Sequence, residues 1–478
     1  MATSDVPRRE GTNEVNATGL LFDVEGVVSA RPAASVPAPV VSGSAEDLTP
    51  VAGVALWGPL LDRLNPVAEA DRRGLRPIGP GGYSGGQCYR ALTEVLLAGG
   101  DFLSDRVLLA DPATATLRGT NALPSVSTLW RFLAGADLGR VAKAAAVNRV
   151  MLTRAWAAGA APEGKRLTID PDATRVATYG ARKEGSAFSR TGQTALSPLV
   201  GVCGETGDVL ALRARGGAAN DGRAMGSFID ECVQAVPAGC RDRYRLWIRV
   251  DSAGYQQQVI QAAERHHADF TVTAKGYTNV VSAVHALAAD PDTTWVAALG
   301  RETGKGSQIA ETTTTLLGRE LRLIVRRQPK DAGDQLAIDE LDGWRLHAII
   351  TNISSARMAA AEVEAHHRLR GGIPEDTIRA LKNDFGMIHA PVGSFFGNWL
   401  YWQAAAFAHN LGLWLRTLAL PRAFRRVRGK RLRLAFLNAA ARLVRHGRRL
   451  HLRFGRAYPH TETFTHALDR LHALPAFG

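Results

Sequence analysis

Residues 166–172 alternate apolar and polar side chains, the pattern of a strand with one face on a core. Residues 199–203 and 209–214 have the same character on either side of Gly204-Glu205-Thr206-Gly207-Asp208, and together they predict a hairpin. A further strand over 245–251 ends at an acid, a helix is expected over 255–266, and 269–274 returns to strand. Antiparallel strands followed by strand–helix–strand predict an α/β fold, a mixed sheet flanked by helices. The alternation breaks over 278–343, where a Gly-rich turn (300–306) and strand-like runs at 310–317 and 321–325 predict a β-rich insertion. An apolar strand over 346–351 and helices over 373–385 and 399–418 follow.

Upstream, residues 46–160 have helical character. Residues 89–97 form one helix ended by Gly99-Gly100, and Ser125 offers a cap to a second before the apolar face of residues 126–133. Residues 31–41 are crowded with Pro, Ala, Val and Ser and keep no period, which predicts a mobile arm. The expected divisions are an arm (1–45), a helical region (46–160) that is either a DNA-binding region using Arg131, Arg140, Lys143 and Arg149 or a plain bundle, a core in two parts (161–277 and 344–420) split by the insertion (278–343), and a basic helical region (421–478).

Composition sharpens this picture at a few points. A chain of 478 residues with 46% hydrophobic residues can bury more than one core. The longest apolar stretch, 400–415, holds Gln403, His409 and Asn410 and is short for a membrane span, so it reads as a buried helix. Together with an N-terminus that lacks an apolar signal, this predicts a soluble intracellular protein. The four cysteines form no CxxC pair and suggest neither a zinc ribbon nor a disulfide framework. The net charge is +13, and residues 421–456 alone contain twelve Arg and one Lys with no acid, which equals the whole excess. Concentrated positive charge draws a polyanion. A solvated basic face and an anionic membrane are the alternatives, and no lipid anchor supports the second. Arg425, Arg426, Arg428, Lys430 and Arg431 are the candidate DNA contacts.

The candidate chemistry lies in acids at element ends. Asp172 and Asp251 close two strands, and Asp170 shares the face of Asp172 and rivals it. Glu375 opens a helix and stands seven residues, about two turns, before Lys382. Phosphodiester chemistry needs such a set, because two Mg2+ ions stabilise the charge on the attacking and leaving oxygens, and Mg2+ takes oxygen ligands. Acids in these places are also ordinary caps, so spacing alone does not decide. Gly300–Ser307 fails as a phosphate-binding loop, with three residues before Gly304 and Gly after Lys305. The adjacent pairs His266-His267 and His366-His367 cannot aim both rings at one metal from a helix.

Taken together, the segments resemble the DDE transposases of bacterial insertion sequences, in particular a cut-and-paste subgroup that inserts at TTAA targets. Asp170-Pro171-Asp172-Ala173-Thr174 is similar to the first-acid motif, Asp-x-Thr, which favours Asp172. Ile248 through Tyr255 resembles the second-acid motif, and His367 through Lys382 the signature around the third acid, Tyr-x2-Arg-x3-Glu-x6-Lys. Two departures stand out. His367 replaces the Tyr, and one extra residue separates Arg370 from Glu375. The resemblance implies a ribonuclease H-like core, metal ligation by Asp172, Asp251 and Glu375, and DNA contacts by Arg370 and Lys382. It implies two Mg2+ ions, with Mn2+ able to substitute. The implied partners are double-stranded DNA (terminal inverted repeats and target) and a second copy on the DNA ends, in bacterial cytoplasm at the nucleoid, with no membrane. The other readings are a metal-dependent nuclease on the same core and a catalytically inactive DNA-binding relative.

Overall fold

The computed structural model describes residues 47–75, 82–120, 123–180, 182–188, 192–329, 340–341 and 343–477. The arm expected over 1–45 lies outside them. A short strand, β1 (Leu48–Thr49), leads into six helices: α1 (Val54–Leu64), α2 (Pro66–Arg72), α3 (Gly85–Ala98), α4 (Pro112–Leu117), α5 (Val126–Ala134) and α6 (Leu138–Ala155). Local chemistry fixes their ends. The Ser84 hydroxyl accepts from Gln87 N while the Gln87 side chain accepts from Ser84 N, and Gly99 closes α3 at a φ of 97°. Ser125 and Asp137 cap α5 and α6.

The core begins with β2 (Arg166–Ala173). After it, β3 (Val176–Ala177), β4 (Ala187–Phe188) and β5 (Thr194–Leu196) form a small separate sheet. Then β6 (Leu199–Cys203) and β7 (Val209–Arg213) extend β2 as an antiparallel meander. Helices α7 (Met225–Ala235) and α8 (Ala238–Arg241) lead to β8 (Arg245–Val250), parallel to β2. Helix α9 (Gln257–Arg265) leads to β9 (Asp269–Thr273), parallel to β8. The order β7-β6-β2-β8-β9 is that of a ribonuclease H-like core, as expected. β6 and nearly all of β8 are buried on both faces, which is why their sequences run almost continuously apolar.

The segment expected to be a β-rich insertion opens with a helix, α10 (Thr278–Ala289). Its strands β10 (Val296–Ala297), β11 (Gln308–Leu316), β12 (Arg319–Pro329) and β13 (Glu340–Leu341) do not stand apart. β14 (Trp344–Thr351) pairs antiparallel with β9, and β12, β11 and β10 continue outward from it, so one sheet of ten strands includes both core and insertion. Period-two patterning identifies a strand but not its neighbour, so this continuity was not readable in advance.

Helices α11 (Ala360–Arg368), α12 (Ile373–Asp384) and α13 (Phe395–Leu418) follow. α13 is buried along almost its whole length, and no helix among the described residues is long and apolar enough to cross a membrane. Its polar side chains instead line the outer strand β7: Trp399 Nε1 and Gln403 Nε2 donate to Leu212 O, and Asn410 bonds both Val209 N and Val209 O. These bonds satisfy an edge that would otherwise recruit another strand.

The last region was expected to be helical. After α14 (Gly429–Leu432), the structure has a hairpin, β15 (Ala441–His446) and β16 (Arg449–Phe454), before α15 (Thr461–Ala473). Leu443, Leu452 and Phe454 alternate with Arg442, His451 and Arg453, a period of two that the helix-forming tendency of Arg, Leu and Ala obscured. β1 pairs with β15, Leu48 opposite Arg442, so the two ends of the described chain meet in one sheet.

Candidate active site

Two parallel strands set the site. In the β2–β8 ladder Arg166 faces Arg245 and Ile169 faces Ile248, a constant offset of 79 residues. Carried onward, that offset brings Asp172 beside Asp251 and, one strand repeat lower, Asp170 beside Arg249. Both pairs lie on one face because side chains alternate.

The lower pair is a closed ion pair. Arg249 Nε donates to Asp170 Oδ1 at 2.8 Å and Nη2 to Oδ2 at 2.7 Å, while Nη1 donates to His366 O at 2.6 Å. Both side chains are about 2% exposed or less. The β6–β7 turn closes over them at Gly204, where a Cβ would fall 2.6 Å from Asp170 Oδ2 and 2.8 Å from Arg249 Nη2, so a larger residue would have to displace the pair. Asp170 is therefore part of the floor and has no oxygen free for a ligand. Arg249 is a charged residue in the interior of an apolar strand, the one local signal in the sequence for this buried pair.

The upper pair is open. Asp172 is 25% exposed and Asp251 38%. Each is held by one oxygen: Asp172 Oδ1 accepts from Ala173 N at 2.8 Å, and Asp251 Oδ1 from Ala253 N at 3.0 Å. The other oxygens face one guanidinium nitrogen, Arg370 Nη2, at 2.9 Å from Asp172 Oδ2 and 3.8 Å from Asp251 Oδ2. Burial lifts the Asp172 carboxyl to about 6; Arg370 opposes the shift and the Asp251 charge adds to it. Arg370 Nε is buried without a hydrogen-bond partner among the described residues, so the guanidinium is only partly satisfied there.

Glu375 does not join the two aspartates. It is exposed in the first turn of α12, after the Gly371-Gly372 break, and its Oε1 turns back to within 3.9 Å of where a Gly371 Cβ would stand. Among the described residues, no three His, Cys, Asp or Glu side chains are close enough to hold one metal ion. The same break absorbs the extra residue between Arg370 and Glu375. His367 ends α11 as a buried clamp on β9, with Nδ1 2.9 Å from Thr271 Oγ1 and Nε2 3.0 Å from Thr273 Oγ1. Lys382 is half-buried and donates to Arg175 O at 2.9 Å, and burial lowers its pKa.

Arg425, Arg426, Arg428, Lys430 and Arg431 are all exposed; Arg425 lies 3.7 Å from Glu163 and Arg428 3.8 Å from Asp376. Arg433, in contrast, is internal, donating to Leu96 O, Leu97 O and Asp384 O, so the basic segment is not uniformly available. Beside Ser252 a cavity of about 280 Å3 opens, with Thr273, Lys275, Val280, His285 and His347 on its wall.

Hard divalent cations take oxygen ligands. Two adjacent carboxylates, each with an oxygen turned toward a positive group, suit such an ion, and the Arg370 guanidinium supplies the positive charge here. The family model for the transposase DDE domain group 1 matches residues 89–476. The chain belongs to this family. DDE transposases are enzymes that act on DNA and generally use divalent metal ions. No curated protein matches. Among solved structures, a piggyBac transposase synaptic complex with hairpin DNA matches at 11% identity and a TM-score of 0.33, over 80% of this chain and 82% of that one.

Proposed function

We propose that this family member is a cut-and-paste transposase that cleaves DNA at the ends of a mobile element and joins those ends to target DNA. In this reading Asp172 and Asp251 would hold the metal ions, and Glu375 would complete the ligand set. The carrying observation is the pair of carboxylate oxygens that face one cationic group at the open end of two parallel strands. Bound there, two Mg2+ ions, or Mn2+ in their stead, would stabilise charge on the attacking and leaving oxygens.

The chain's own residues prepare that site. The N–H groups of Ala173 and Ala253 fix one oxygen of each aspartate, and the Asp170–Arg249 pair holds the two strands in register beneath them. Arg370 offsets the charge of the two acids and would meet a phosphate where cations take over that part. Glu375 reaches the acids by a change at the glycine break, where the backbone resists least. Lys382 and the exposed cluster from Arg425 to Arg431 take backbone phosphates. The substrate in this reading is double-stranded DNA carrying the terminal inverted repeats of a bacterial insertion sequence. The enzyme acts as a homodimer on the paired ends, inserts at TTAA, and works in the cytoplasm at the nucleoid.

The test is Asp251→Asn, which keeps size and removes charge. With a plasmid carrying the sequences that flank the gene, cleavage in Mg2+ should fall by several orders of magnitude while a gel-shift on the same DNA is unchanged or slightly stronger. Near-normal cleavage would refute the carboxylate assignment. Cleavage by the unaltered protein without joined products would make it a nuclease.

A further inference from the structure

The hairpin β15–β16 has two unlike halves. At its base, Ala441 and Leu443 are buried and Leu452 and Phe454 half-buried, with Phe454 packed on Tyr458 and Phe464. Beyond Val444 every residue through His451 is exposed, on both faces. The two outer rungs, Arg445 opposite Leu450 and His446 opposite Arg449, and the turn at Gly447-Arg448 therefore overhang the body.

That overhang holds its charge at a backbone cost. Gly447 and Arg448 have φ of 55° and 63°, the geometry of a two-residue hairpin turn that favours Asn-Gly. An arginine in the left-handed region is strained, because its Cβ crowds the following carbonyl. No acid occurs anywhere in 421–456, and Arg445, Arg448, Arg449 and Arg453 make no ion pair among the described residues. Charge on an edge strand such as β16 discourages aggregation. Edge protection explains neither the overhang nor an arginine at the strained turn position.

We propose that the tip of this hairpin is a DNA-binding ribbon that enters the major groove of duplex DNA, with Arg445, Arg448 and Arg449 on the flanking phosphates. The inference rests on the DNA-binding side of the proposed function and names the element that carries it. The dimensions agree. Two strands lie about 5 Å apart, and two rungs plus the turn reach roughly 10 Å. The major groove, about 12 Å wide and 8.5 Å deep, admits a two-stranded ribbon. The cationic tip complements the phosphate walls.

The experiment uses the full chain and two variants. Arg448→Gly relieves the turn, so it should fold at least as stably as the unaltered protein and still bind more weakly, with the slope of log affinity against log salt smaller by about 0.9. The triple variant Arg445→Gln, Arg448→Gly, Arg449→Gln should lose about 2–3 from that slope, bind roughly 100-fold more weakly at 0.1 M salt, and lose protection of guanine N7 from dimethyl sulfate. Since N7 lies in the major groove, its protection reports groove placement. An unaltered protein that bound no duplex would sink the DNA reading itself. Duplex binding with the same slope and N7 protection in the triple variant would overturn the ribbon alone. A reduced slope with N7 protection intact would also overturn the groove assignment, leaving only backbone contact.

Discussion

Asp170 and Asp172 stand two residues apart on one face of β2 and have opposite surroundings. Removing the charge of Asp170 would leave Arg249 buried and unpaired, which costs about 3–5 kcal/mol in comparable sites. Asp170→Asn should therefore lower the midpoint of thermal or urea unfolding substantially. Asp172→Asn should unfold at or above the midpoint of the unaltered protein, because burial already disfavours the Asp172 charge. Equal midpoints for the two variants would contradict the division into floor and site. The sequence carried part of this. Asp172 and Asp251 could be singled out at strand ends, and the Asp-x-Thr likeness favoured Asp172 over Asp170. The 79-residue offset that pairs each with its neighbour emerges only from strand register, which no local pattern encodes. Arg370 was expected on DNA, and here it lies between the aspartates; a charged side chain's choice between an internal and an external anion cannot be seen in a one-dimensional motif.

Among the elements, α13 has the clearest division of labour. Its apolar residues fill the core while Trp399, Gln403, His409 and Asn410 attach it to the β7 edge and the turn before it. His409 Nε2 lies 3.0 Å from Gly207 O, and burial, with Arg416 nearby, lowers its pKa from 6.5 to about 4. A histidine whose folded pKa is depressed gives stability above its unfolded pKa and loses it as pH falls, so the window here runs from 6.5 down to 4. The full effect is about 3 kcal/mol. His409→Gln keeps a donor for Gly207 O and removes the titration, so its urea midpoint should fall less between pH 7 and pH 4.5 than that of the unaltered protein. An identical fall would assign the acid sensitivity to the other buried imidazoles. The apolar stretch with embedded polar residues marked α13 as a buried helix from sequence, but the edge strand it seals was not visible there. The C-terminal hairpin was obscured differently: its charge drew the reading, and its period of two went unused.

At the scale of the molecule, the helical region and the C-terminal half share one interior. α13 packs against α3, α5 and α6, Tyr401 donates to Asp101 O at 2.9 Å, Asn148 to Gln403 O at 3.0 Å, and Gly53 N to Leu437 O at 3.0 Å. A fragment of residues 46–160 would expose the apolar faces that α13 covers. It should melt without a cooperative transition by circular dichroism; a sharp transition would show that the region folds by itself. The DNA binding expected of these helices is accordingly a property to assay in the full chain.

The pairing of Leu48 with Arg442 also sets a timetable. A ribosome adds about 5–20 residues per second, so β1 leaves it roughly 20–80 s before its partner strand exists. Until then the first helices lack the helix and hairpin that enclose them and depend on whatever holds nascent chains in solution. Truncated products, from a premature stop or a damaged message, therefore lack this closure and are expected to be degraded rather than to fold as a partial enzyme.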